Sequence, residues 1–130
     1  MWKVLMIDDN PVEHLIVRRM SERDHLFESL DCVDDAGEVL AELRRNEETF
    51  SRLPDIILLD LQMPRMSGWE FMKRLNDFYR DLKKKVDVYV LSSSVSESDR
   101  RASMSYPFVK GFYIKPMTSN LLQELSEVNQ

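Results

Sequence analysis

The sequence predicts an α/β domain in which a parallel sheet of five strands is covered by helices on both faces. Three observations carry this. Five short runs, Val4–Ile7, Leu30–Val33, Ile56–Leu59, Val86–Leu91 and Phe112–Ile114, are rich in β-branched, aromatic and other apolar residues at consecutive positions. Such runs suit strands buried on both faces, with Leu30–Val33 the weakest of them. Amphipathic stretches with readable helix starts lie between the runs. Strand and helix then alternate five times, and that alternation builds parallel sheets with right-handed crossovers. A chain of 130 residues is one domain over 1–130, with a radius of gyration of about 14 Å. It can bury a sheet between two helical layers and has no room for a separate output domain.

Each helix start has its own chemistry. Asn10-Pro11-Val12-Glu13 offers an N-cap, a proline at the first helical position and an acid three residues past the cap. Asp35 with Glu38, Ser67 with Glu70, and Ser96 with Asp99 repeat the pattern. The expected buried faces are Leu15, Ile16 and Met20; Val39, Leu40 and Leu43; and Phe71, Met72, Leu75 and Phe78. A last helix over 118–128 carries Leu121, Leu122 and Leu125.

Composition excludes several function classes. The charge of −5, from 18 basic and 23 acidic residues, and a pI near 5.1 oppose direct nucleic-acid binding through phosphate contacts. One cysteine, Cys32, gives no disulfide framework or cysteine-built zinc site, and two histidines, His14 and His25, are few for a histidine metal centre. The amino-terminal apolar run is too short for a signal peptide, and no stretch reaches the roughly 18 apolar residues of a membrane span. The expected setting is the reducing cytoplasm, without a membrane contact.

In open parallel sheets, ligands bind outside the carboxyl ends of the strands. The residues following the apolar runs are Asp8-Asp9, Asp60, Ser92-Ser93-Ser94 and Lys115-Pro116. Three carboxylates brought together repel one another and call for a cation, and hard oxygen ligands favour Mg²⁺. A metal, a lysine and a hydroxyl together can hold a phosphoryl group. Asp60, alone at its strand end, is the candidate nucleophile for an acyl phosphate. Asp8 and Asp9 would hold the metal, Lys115 would pair with Asp60, and Ser92 would donate to a phosphate oxygen.

On these residues the chain resembles the receiver domains of two-component response regulators, over nearly its whole length. The motifs are Asp8-Asp9 after Leu5-Met6-Ile7, the stretch Asp60 to Gly68, the hydroxyls after Leu91, and Gly111-Phe112-Tyr113-Ile114-Lys115-Pro116. The resemblance implies a flavodoxin-like (βα)5 fold, a three-layer sandwich of strand order 2-1-3-4-5. It implies a phosphohistidine donor, on a histidine kinase or histidine phosphotransfer protein, and Mg²⁺, with Mn²⁺ as a substitute. The metal would be held by Asp9, Asp60 and the Gln62 main-chain carbonyl, with Asp8 acting largely through water. Ser92 and Phe112 would be the switch pair, Lys115–Pro116 a cis peptide, and Gln62 and Ser94 the positions that tune hydrolysis. Output would pass to a downstream protein effector from a monomer or a phosphorylation-dependent dimer. The domain would promote its own phosphorylation and dephosphorylation and turn over no external substrate.

Two spacings depart from the family pattern. Ser92 to Lys115 spans 23 positions, one more than expected, so counting back from Lys115 nominates Ser93 as the alternative switch hydroxyl. Ser92 directly follows the strand, which places the extra residue in 104–109, where Pro107 breaks the helix. Asp9 to Asp60 spans 51 positions, and the surplus is expected in 46–53, as a longer second helix or a polar loop. A Mg²⁺-dependent aspartyl-phosphate phosphohydrolase is the competing reading. Such enzymes carry a second acid two residues after the nucleophile, where this chain has Gln62, which cannot work as a general acid–base. A degenerate receiver that only binds a partner is a third reading, disfavoured by the intact acids and lysine. Lys83-Lys84-Lys85 reads as a solvated loop, the methionines as core filler, Cys32 as a buried strand residue, and Trp69 as either packing or a reporter near the site.

Overall fold

The computed structural model describes residues 1–94 and 96–128. The strands are β1 (Lys3–Ile7), β2 (Ser29–Val33), β3 (Ile56–Asp60), β4 (Asp87–Ser92) and β5 (Val109–Ile114). The helices are α1 (Pro11–Asp24), α2 (Ala36–Arg45), α3 (Gly68–Phe78), α4 (Glu97–Met104) and α5 (Ser119–Glu127). All pairings are parallel, in the order β2-β1-β3-β4-β5, as the resemblance implies. β3 and β4 are buried at every position, because each has a neighbour on both sides and helices above and below.

Two apolar clusters flank the sheet. One joins Ile57, Leu59, Val88 and Val90 to α2 and α3 through Val39, Leu40, Leu43, Phe71, Met72 and Leu75. The other joins Val4, Met6, Leu58 and Leu91 to α1 and α5 through Val17, Leu122 and Leu125. Each such side chain contributes about 2 kcal/mol when fully buried. The expected caps form: Asn10 accepts from the Val12 N–H, Asp35 from Glu38, Ser67 from Glu70 and Ser96 from Asp99, and Thr118, which the sequence reading did not single out, caps α5 by accepting from Leu121.

Several expectations need correction. Leu15 and Ile16 are 46% and 38% exposed, and α1 instead buries Val17 and Ser21. Its apolar residues Val12, Leu15, Ile16, Val17 and Met20 spread over more than half of the circumference, so periodicity did not single out the inner face. Glu13 makes no reciprocal cap, and its buried Oε2 has no hydrogen-bond partner among the described residues. The Asn10 N–H goes to Asp8 Oδ1 at 2.9 Å instead. Of the two alternatives for 46–53, the structure has the loop and not a longer second helix. The helix stops at Arg45, and a short 3-10 turn over Phe50–Arg52 follows. Directly after the 104–109 stretch, β5 carries an irregularity at Lys110. The register passes from Val88–Val109 to Tyr89–Gly111 and leaves it unpaired in β5.

The lysine triplet is not uniformly solvated. Lys84 is buried, with its ammonium 2.9 Å from Asp55 Oδ1 and 3.0 Å from the Leu53 carbonyl. Cys32 is half-buried in the edge strand β2.

Candidate functional site

The carboxyl ends of β1, β3, β4 and β5 bring the expected residues to one place. Asp8 follows β1 and is wholly buried, Asp60 ends β3 at 4% exposure, and Asp9 is exposed. One carboxylate oxygen from each of the three lies within 4.8 Å of the others. The Lys115 ammonium reaches in from the end of β5, 2.8 Å from Asp8 Oδ2 and 3.3 Å from Asp60 Oδ1. Its nearer partner is thus Asp8, where the sequence reading had Asp60. Asp8 is the more deeply buried of the two acids, and a buried charge needs a counter-charge most.

The two oxygens of Asp60 differ. Oδ1 accepts from the Gln62 N–H at 3.2 Å and faces Lys115. Oδ2 has no hydrogen-bond partner among the described residues. Burial pushes the Asp60 carboxyl above its usual range. The Gln62 N–H opposes this, Asp8's charge adds to it, and Lys115 does not restore the balance. For Lys115 burial acts downward, but the hydrogen bond and charge of Asp8, then those of Asp60, hold the ammonium above its ordinary value.

Three hard carboxylates against one lysine leave an excess of negative charge in a largely buried pocket. The donor set therefore fits a small divalent cation such as Mg²⁺ or Mn²⁺.

The hydroxyls separate clearly. Ser92 is 1% exposed at the end of β4, and its Oγ accepts the Ser94 N–H at 3.1 Å. Its carbonyl accepts the Lys115 N–H at 2.8 Å, tying the ends of β4 and β5 together. Ser93 is exposed and donates to Gln62 Oε1 at 3.4 Å. Phe112 is half-buried on β5 against the α2–α3 cluster. The Lys115–Pro116 peptide is cis. His14 and His25 lie on and just after α1, outside the acidic cluster.

Two features of the loop after Asp60 escaped the sequence reading. A Cβ at Gly68 would sit 2.6 Å from the Asp60 carbonyl oxygen and 2.8 Å from Leu61 Cα, so only glycine lets α3 start this close to the strand end. Arg65 adopts φ 67° between the Pro64 carbonyl and the Met66 N–H, which are hydrogen-bonded at 2.7 Å in a tight three-residue turn. The glycine was visible in the sequence. The strained arginine carries no signal there.

Comparison with known proteins agrees with this geometry. The family model for the response regulator receiver domain matches residues 4–127. A probable methanogenesis regulatory protein, FilR2 of Methanothrix harundinacea, is 27% identical over 98% of this chain and 81% of its own length. The two-component response regulator ORR1 of Oryza sativa is 29% identical over 95% of this chain, which spans only 53% of that protein. A two-component response regulator from Cytophaga hutchinsonii superposes with a TM-score of 0.83 at 28% identity, covering 94% of this chain and 91% of its own. The Mn²⁺-bound form of response regulator Rcp1 does so at 0.73 and 25%, covering 97% and 93%.

Proposed function

The chain belongs to the response regulator receiver domains of two-component signalling, and on that premise we propose that it accepts a phosphoryl group from a partner's phosphohistidine onto Asp60. The observation that carries this is the division of labour at Asp60: Oδ1 is held by Gln62 and Lys115, while Oδ2 is left unpartnered beside two further acids. In the transfer, Oδ2 forms the bond to phosphorus as the N–P bond breaks, and the imidazole nitrogen keeps the electron pair. Lys115 donates to a phosphoryl oxygen and offsets its charge. Ser92 accepts from the Ser94 N–H, which leaves its own proton available to a second phosphoryl oxygen. Asp8, Asp9, Asp60 and the Gln62 carbonyl would hold Mg²⁺, or Mn²⁺ in its place, which supplies the positive charge that lets a phosphoryl group approach three carboxylates. That the structural neighbour Rcp1 has a Mn²⁺-bound form supports a divalent cation in this fold.

The donor is a histidine kinase or histidine phosphotransfer protein. Val12, Leu15 and Ile16 form an exposed apolar face on α1, which begins two residues after Asp9, and this face suits a docking helix of the donor. The signal leaves through the opposite side, where Phe112 is half-buried and Met104 and Ile114 are exposed on α4 and β5, toward a protein effector or a second copy. Ser92 and Phe112 are the switch, Gln62 and Ser94 tune the lifetime, the compartment is the cytoplasm, and no external substrate is turned over.

The test is incubation with acetyl phosphate or beryllofluoride, with and without Mg²⁺. Stoichiometric, metal-dependent modification that is absent in Asp60→Asn is expected. Modification unaffected by that substitution would overturn the assignment, and continuous phosphate release from many organic phosphates would favour a hydrolase.

A further inference from the structure

A second pocket lies at the opposite end of the sheet from the acidic cluster. Its volume is about 220 Å³, and it is lined by Trp2, Phe50, Ile56, Lys84, Asp87 and Val128, with Asp55 and Lys85 beside them. Most of its polar groups are matched by the protein itself. Lys84 is shared between Asp55 and the Leu53 carbonyl and lies 4.7 Å from the centre of the Phe50 ring. The other oxygen of Asp55 accepts the Lys3 N–H at 2.8 Å. The Trp2 indole N–H donates to the Val128 carbonyl at 2.8 Å.

Asp87 is the exception. It opens β4 at 8% exposure, and its Oδ1 is buried with no hydrogen-bond partner among the described residues. Leaving such an oxygen unpaired is destabilising, and native interiors rarely tolerate it without a role. Its charge is felt nearby: burial, then Asp87, push the Tyr89 hydroxyl up to about 12. Lys85 is exposed and makes no ion pair among the described residues, so its charge at the mouth is screened by solvent.

We propose that this pocket binds a small organic ammonium, a primary amine on a compact apolar or single-ring body, with the ammonium on Asp87 and the body between Trp2, Phe50, Ile56 and Val128. A carboxylate selects a charged N–H donor over a neutral one. The apolar lining takes the carbon skeleton. The volume lies below the roughly 300 Å³ of the smallest drug-sized sites, which limits the occupant to a fragment-sized molecule. The site is independent of phosphoryl chemistry at Asp60.

Benzylamine is the probe, titrated into the full chain with Mg²⁺ in excess so that the acidic cluster does not compete for the amine. The readout is the indole N–H resonances of Trp2 and Trp69. The expected result is a saturable shift of Trp2 with Trp69 unmoved, binding at least tenfold weaker for benzyl alcohol, at least tenfold weaker for Asp87→Asn, and unchanged in Asp60→Asn. Equal binding of the amine and the alcohol, or the absence of any Trp2 shift, overturns the proposal. So does binding that appears only in Lys85→Ala, since the chain's own lysine would then fill the site. The amine–alcohol comparison uses the unaltered protein, so it decides the matter even if a variant misfolds.

Discussion

Asp60 is buried beside Asp8, and its ordinary ionisation is opposed by that burial more strongly than Gln62 and Lys115 assist it. Its carboxyl is therefore easier to protonate in the fold than in the unfolded chain, where the value is near 3.9. The sign follows by linkage. Asp60's contribution to stability is fully present below the unfolded value and is lost as pH rises through the higher folded value. Asp60→Asn should accordingly raise stability at neutral pH by about 0.5–2 kcal/mol, with the gain shrinking in acid. Thermal unfolding at pH 7 and pH 4 in the absence of divalent metal checks this, and a larger gain at pH 4 would contradict it. The hydroxyls give a second prediction. Ser92→Ala should abolish the change in the amide spectrum that beryllofluoride induces around Phe112, and Ser93→Ala should leave it, because Ser93 is exposed and faces Gln62. These residues were legible in the sequence because charged and hydroxyl side chains immediately after apolar runs have few structural uses. Lys84 was not. A lysine inside a run of three reads as solvated until the fold shows that Asp55, 29 positions earlier, lies beside it.

α3 and α1 differ in how much of their placement the sequence carried. The α3 residues Phe71, Met72, Leu75 and Phe78 are all buried, as their spacing requires. A side chain at its first residue would overlap backbone atoms of Asp60 and Leu61. Backbone cannot swing aside as a flexible side chain can, so Gly68→Ala should cost about 1–3 kcal/mol. It should also slow modification of Asp60 by acetyl phosphate by displacing the strand end. Urea unfolding and the modification rate measure the two effects, and an unchanged rate would show that α3 moves in place of Asp60. α1 was legible as a helix, through its Asn10 cap and Pro11, but its orientation was not. Val17 is wholly buried while Ile16 beside it is 38% exposed, and only the position of the sheet decides between adjacent apolar residues. The same applies to Lys110, since a bulge is a property of two paired strands and cannot be read from one.

Across the whole molecule, the sheet separates two charged centres: the acids and Lys115 at its carboxyl end, and Asp55, Lys84 and Asp87 at its amino end. The parallel α/β architecture was legible because five strand–helix alternations leave few topologies, although the order of the strands came from family resemblance alone. The second centre was not legible, because it is assembled from the chain's start, a loop, two strand beginnings and the residue after α5. Lys84→Ala leaves Asp55 in a mostly dry site without its cation and should cost about 3 kcal/mol, a large share of a total stability of about 5–15 kcal/mol. Below its unfolding transition, the variant should still take up beryllofluoride at Asp60 with unchanged stoichiometry. Loss of uptake in the folded variant would mean that the two ends are coupled through the sheet. The Trp2–Val128 hydrogen bond, joining residues 126 positions apart, has an engineering consequence. Residues 2 and 128 lie side by side, so a short peptide bridging them would close this domain into a ring with little loss of loop entropy. New ends opened in the exposed turn after α2 would then give a circular permutant in which sheet and acidic cluster are retained.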